Sequence, residues 1–99
     1  MAHRVAPAAE IELDGIWLYV ARKSGSFEVA DRQIDSITQR FYLVARYPHI
    51  GRRRDHDLRP GLRSLPAGDY IIVYRTDGED VVILHVIRGS RNIQAMLRD

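Results

Sequence analysis

The sequence predicts an α+β fold, a short N-terminal strand and an antiparallel helical hairpin packed on an antiparallel sheet with a C-terminal meander. Three observations predict it. Apolar residues recur at spacings of three and four across the first half of the chain, the period of a helix. The later stretches "DYIIVYR" at 69–75 and "VVILHVI" at 81–87 are short apolar runs of strand composition. Asp77-Gly78 lies between them and is a strong hairpin signal.

Each element has its own warrant. His3-Arg4-Val5-Ala6 reads as a short extended start. Pro7 suits a first helical turn, where a missing N–H costs nothing. From Pro7 to Arg22 the pattern is helical, with Leu13, Ile16, Trp17 and Val20 on one face. Glu10, Glu12 and Asp14 lie near its N-terminal end, where the helix dipole favours negative charge. Lys23-Ser24-Gly25-Ser26 is a break, and Ser26 is a plausible cap for a second helix. Phe27, Ala30, Ile34, Ile37, Phe41 and Val44 then form a seam for helix–helix packing. Trp17 is expected to face that seam. Pro48 and Gly51 end the helix. "GRRRDHDLRP" at 51–60 reads as a charged loop. Gly61–Leu65, Asp69–Arg75 and Val81–Ile87 are the strands of the meander, with Pro66-Ala67-Gly68 separating the first two. The last two are apolar on both faces, so they belong at the centre or under helices. Residues 91–97 form a short helix or a tail. The helical hairpin covers one sheet face and leaves the other to meet something.

Ninety-nine residues fit one domain, 1–99, with one modest core. No stretch approaches the ~20 apolar residues of a membrane span. The first ten residues lack the apolar core of a secretory signal. There is no cysteine, hence no disulfide and no thiolate metal site. A cytoplasmic location is the expectation.

Charge is more informative than its formal sum of +2. Fourteen of the fifteen basic residues are Arg, and residues 46–99 carry +3 while residues 1–45 carry −1. Arg forms forked contacts with carboxylates and phosphates and stacks on flat rings. An acidic protein, RNA or DNA would suit that half. A GC-rich coding bias explains the Arg/Lys ratio equally well, but not the clustering.

Catalytic constellations are hard to find. His3, His49, His56 and His85 are scattered, with no metal spacing and no phosphate loop. His85, within an apolar strand, reads as a hydrogen-bonded structural histidine rather than a base. Asp55-His56-Asp57 is adjacent in a loop, which does not make it a reaction centre. Arg52-Arg53-Arg54 reads as a solvated loop. If Arg63 and Arg88 share the open sheet face, they make a basic patch; strand register decides.

Residue order and element lengths together resemble a known family. "PAAEIELDGIWLYVA" at 7–21, "YPHIGRRRDHDLRPGLRSLPAGDYIIVYR" at 47–75 and "VVILHVIRGSRNI" at 81–93 are similar to the ParE branch of the RelE/ParE toxins of type II toxin–antitoxin systems. The resemblance covers about Val5 to Ile93. It implies the RelE/ParE-like fold and a toxin neutralised by a cognate antitoxin. That antitoxin would carry a ribbon–helix–helix dimerisation domain and a C-terminal segment that is disordered when free. The two would form a hetero-oligomer. ParE toxins are described as poisons of DNA gyrase, and RelE toxins cut mRNA on the ribosome.

Two departures favour a binding toxin over a nuclease. Ile93 stands where a RelE-type enzyme would often show Tyr, and Arg88 stands where many ParE-like chains have His. An arginine, with a pKa above ~12, is a poor base but a good anion contact. The expectation is therefore no catalytic residue, no metal and no cofactor. Arg63, Arg88 and Arg91 are the target-binding candidates. Trp17, Arg52, Arg53 and Arg75 are the antitoxin-binding candidates, on the exposed helix sides and a sheet edge. The alternatives are an mRNA endonuclease and a non-toxic member that only binds its antitoxin.

Overall fold

The computed structural model describes residues 2–89 and Ile93. The reading of 91–97 as a helix or tail, and the candidate Arg91, lie outside the described residues. The elements are β1 (His3–Val5), α1 (Pro7–Ser24), α2 (Phe27–Arg46), β2 (Arg52–Arg53), β3 (Arg63–Ala67), β4 (Tyr70–Asp77) and β5 (Asp80–Arg88).

Local chemistry sets the helix ends. Pro7 opens α1 after the extended Ala6. Gly25 closes it at φ 68, a left-handed conformation that glycine adopts without a Cβ clash, and its N–H donates to the Ala21 carbonyl at 2.9 Å. Ser26 then caps α2, its hydroxyl oxygen accepting the Val29 N–H at 3.2 Å. A link of only Gly25 and Ser26 forces the two helices antiparallel.

The seam packs as its period predicts, with one exception. Ile16, Ile37, Phe41 and Val44 meet Tyr70, Ile72, Tyr74, Val81, Ile83 and Val86 of the sheet in the main core. Phe27, expected in the seam, is 73% exposed. It lies in the first turn of α2 beside the hairpin bend, and its ring meets that of Trp17 at 5.4 Å between centroids. Trp17 is correspondingly half-buried, donating its indole N–H to Asp31 Oδ1 at 2.8 Å, instead of filling the core.

The sheet order is β1-β5-β4-β3-β2. The β3–β4–β5 meander is antiparallel, while β1 pairs parallel with β5 through Val5↔Ile83. The helical hairpin is thus the first part of the connection between these two parallel strands, and β2, β3 and β4 complete it. β3 runs past the expected Leu65 and includes Pro66, which pairs with Ile71. A proline is tolerated there because β2 pairs only with Arg63 and Ser64, leaving that side of β3 open at position 66. β2 itself falls inside the expected loop; two residues carry no period to read.

The second sheet face is not left open. Leu58 and Leu62 from the 54–62 loop, with Ile93, cover Val73 and Ile87. Arg54 holds that loop and is only 7% exposed, which corrects its reading as part of a solvated run. Its Nε and Nη2 grip Asp57 at 3.0 and 2.6 Å, and its Nη1 donates to Ser64 Oγ at 2.9 Å. On the helix side, the Tyr74 hydroxyl donates to the Pro48 carbonyl and accepts the Gly51 N–H, both at 2.9 Å. A Cβ on Gly51 would stand 2.9 Å from the Ser64 carbonyl oxygen, so glycine is required at this close approach.

Two stability changes follow. Phe41→Ala should lower unfolding free energy by about 3–5 kcal/mol, the cost of emptying a buried Phe site. Arg54→Ala should cost about 3 kcal/mol, the lower end for breaking a buried pair, because Asp57 keeps contact with water. Guanidinium melts of the two variants against the parent check both.

Candidate partner-binding site

α1 is apolar on two opposite faces. Leu13, Ile16 and Val20 turn to the core. Ala8, Ile11, Gly15 and Leu18, spaced three and four apart, turn outward, with Ile11 71% and Leu18 44% exposed. α2 differs: the middle of its outward side is polar, with Asp31, Arg32, Asp35 and Gln39, and its exposed apolar residues, Phe27, Tyr42 and Leu43, lie toward its two ends. A helix with apolar residues on two opposite faces is a helix that gains from cover on both sides. Gly15, which costs about 1 kcal/mol against Ala in a helix interior, leaves open space where a Cβ would stand.

Beside that face lies a groove between α1 and β5. β1 is three residues long and β5 nine, so their pairing ends at Val5↔Ile83. The Ala6 N–H donates to the Ile83 carbonyl at 2.9 Å, and the chain then leaves as α1. From there on, among the described residues, no strand borders β5 on this side. Glu12 of α1 fills in: its Oε1 accepts the Val86 N–H at 3.0 Å, and its Oε2 lies 3.1 Å from His85 Nδ1. A carboxylate only accepts, so the proton of this bond sits on His85 Nδ1. His85 is thus hydrogen-bonded within the fold, as its place in an apolar strand suggests.

The groove is a hollow of about 340 Å³ lined by Glu12, Gly15, Ile16, Tyr19, Tyr70 and Val86, with Arg88 at its mouth. The Arg88 guanidinium sits 5.5 Å from the Tyr19 ring centre, and the Lys23 ammonium 5.9 Å away. Hydrogen bonding to Arg88, then the Lys23 charge, lowers the Tyr19 phenol below the usual tyrosine range. Burial does the opposite to Tyr70. The hollow therefore joins an apolar floor, a bare strand edge and a cationic mouth.

The predicted site residues are spread over several places. Arg63 pairs across the sheet with Tyr74, and Arg88 with Tyr70, so both stand on the helix side, at opposite ends of β4. They form no patch over the other face. Arg63 Nη1 donates to the Gly51 and His49 carbonyls at 2.8 and 3.3 Å, fastening the loop after α2. Arg52 and Arg53 form the β2 edge, Arg53 with Asp55 at 2.7 Å. Arg75 is exposed, 4.0 Å from Asp77, an acid that also takes Arg4. Trp17 packs on α2, away from these arginines. Asp55 accepts the Gly61 N–H at 2.8 Å, which with Arg53 lowers its pKa, and Asp57 holds Arg54. The two acids of the Asp55-His56-Asp57 cluster thus shape a loop. Among the described residues, no three His, Asp or Glu side chains are grouped to hold a metal.

Glu12 and Tyr19 were missed as site residues. A glycine in mid-helix and the second apolar stripe through positions 8, 11, 15 and 18 were the signals available for that face. Nothing local marks Glu12, whose partners lie 73 and 74 positions away.

Comparison with known proteins places this geometry. The family model for the ParE toxin of type II toxin–antitoxin system, parDE, matches residues 4–93. Toxin ParE3 of Caulobacter vibrioides is 38% identical over 86 residues, covering 87% of this chain and 84% of the relative. Toxin ParE1 of Mycobacterium tuberculosis is 35% identical over 85 residues, covering 82% and 85%. A solved structure described as a chromosomal ParDE TA system from P. aeruginosa superposes with a TM-score of 0.77 at 22% identity, covering 89% of this chain and 95% of that one. At that identity the superposition speaks for the fold: two helices on a five-stranded mixed sheet.

The groove has a spectroscopic signature. Tyr19 should ionise at lower pH than an ordinary tyrosine, and Arg88→Ala should move its titration up. Ultraviolet difference titration of the two proteins reads this directly. An unmoved Tyr19 would mean the guanidinium does not engage the phenol.

Proposed function

The chain belongs to the ParE toxin family of type II toxin–antitoxin systems, and from that premise we propose that it inhibits DNA gyrase by binding and is neutralised by a cognate antitoxin. The toxin domain takes in the whole of 1–99 and works in the cytoplasm. Among the described residues no helix is long and apolar enough to cross a membrane. It acts without catalysis, cofactor or metal. Its antitoxin, of ribbon–helix–helix type, binds it as a hetero-oligomer.

The single observation that supports neutralisation by docking is the outward face of α1. Ile11 and Leu18 flank the gap at Gly15, a surface that takes the apolar side of a partner helix laid along it. Asp14 and Arg22 border the stripe and set the partner's polar pattern. Action by binding is supported by how the polar groups are used. His85 on β5 is bonded to Glu12 of α1, while Arg63 holds loop carbonyls two strands away on β3. A cleavage centre would need such groups converging on one phosphate. Arg88, at the mouth of the groove, serves as an anion contact for the target; Arg91, the other candidate, lies beyond the described residues.

Induction of the toxin without antitoxin, with DNA and protein synthesis followed by pulse labelling, tests the target. DNA synthesis should stop first. Translation stopping first, with messages cut, would transfer Arg63, Arg88 and Arg91 to an mRNA endonuclease; no arrest would leave a member that only binds its antitoxin. Leu18→Glu should remain folded and arrest growth even when the antitoxin is co-expressed. Full neutralisation of that variant would move the docking surface off α1.

A further inference from the structure

We propose that an extended segment of the antitoxin adds as a strand to the bare edge of β5 at Val86–Arg88, takes over the Val86 N–H from Glu12, and sets an acidic side chain against Arg88. This rests on the antitoxin reading above and names a second contact for it, distinct from the helix face.

The geometry comes from a mismatch of lengths. A sheet edge offers N–H and C=O groups from alternate residues of its outer strand. On β5 the phase is set by two bonds. The Gly89 N–H donates inward to the Asp69 carbonyl at 2.9 Å, and the Val86 N–H points outward to Glu12. Alternation from Gly89 therefore turns the Arg88 backbone outward as well. β1 would have continued along this line, but Pro7 ends it by starting α1. What lies on the vacated line is the hollow, with Gly15 and Ile16 as wall and Tyr70 as floor.

Glu12 behaves there as a stand-in. Its carboxylate oxygen occupies the place a strand carbonyl would take on the Val86 N–H. When that N–H passes to a peptide carbonyl, the carboxylate keeps its bond to His85 through the other oxygen. The exchange keeps the Val86 N–H paired throughout and the carboxylate bonded to His85, which is what makes it reversible. Main-chain bonds of this kind supply affinity without sequence preference, and side-chain pockets add the preference. Here Gly15 leaves room on the α1 wall for an apolar side chain. At the mouth, Arg88 and Lys23 around Tyr19 favour a carboxylate.

The test is residue-resolved amide hydrogen exchange on ¹⁵N-labelled toxin, free and saturated with the purified full-length antitoxin encoded beside it. Val86 and Arg88 amides should slow at least tenfold in the complex. Arg88→Ala should weaken antitoxin binding about tenfold and flatten its salt dependence, with the variant's free-state spectrum otherwise unchanged. A complex that forms while both amides exchange as in the free toxin overturns the strand addition and leaves the toxin reading intact. Failure of any complex to form overturns the antitoxin reading, and the strand with it. Protection of the same amides in toxin alone, growing with its concentration, would assign the edge to a second copy of the chain and overturn the proposal.

Discussion

Everything in this fold depends on β4 and β5 being apolar on both faces. Ile72, Tyr74, Ile83 and Val86 demand cover on one side, and Val73 and Ile87 on the other. Two layers of cover are therefore obligatory in a chain of only 99 residues. The helical hairpin supplies the first. The second is a loop, and a loop carries polar backbone that cannot simply be buried. Arg54 resolves this by binding Asp57 and Ser64 while Leu58 and Leu62 turn inward. The arginine-rich loop, which looks solvent-facing in one dimension, is a lid whose central guanidinium is buried.

The sequence was legible where periodicity was long. The α2 seam from Ala30 to Val44, the Gly25-Ser26 break and the Asp77-Gly78 hairpin all fall where spacing and turn chemistry put them. Legibility failed where a role depends on distant partners. Arg54 reads like Arg52 and Arg53, since nothing local distinguishes a buried guanidinium from its exposed neighbours. Phe27 has the right spacing for the seam, but a period says nothing of where the opposing surface ends. The face of Arg63 required the register Arg63↔Tyr74, which no sequence pattern fixes for a five-residue strand.

The surface left over is organised by α1, a helix asked to do two jobs. Its inward side is core, and its outward side is dressed like core. Such a helix gains from a partner, and the partner's departure leaves apolar area in water at roughly 25 cal/mol per Å². For a toxin family whose members are governed by a second protein, this is a way of making the free and bound states differ in energy without moving the fold. In the proposed complex the cationic mouth at Arg88 and Tyr19 adds a charge preference to that apolar gain.

The Glu12 carboxylate over the Val86 N–H has a consequence for the protein when nothing is bound. A nine-residue strand reading Asp-Val-Val-Ile-Leu-His-Val-Ile-Arg, bordered along half its length by no strand of the described residues, is the kind of segment that templates fibrils edge to edge. A fixed negative charge on that edge repels a second copy offering the same charge and occupies the donor it would need. The Glu12 carboxylate thus guards the strand edge against a second copy in the free protein.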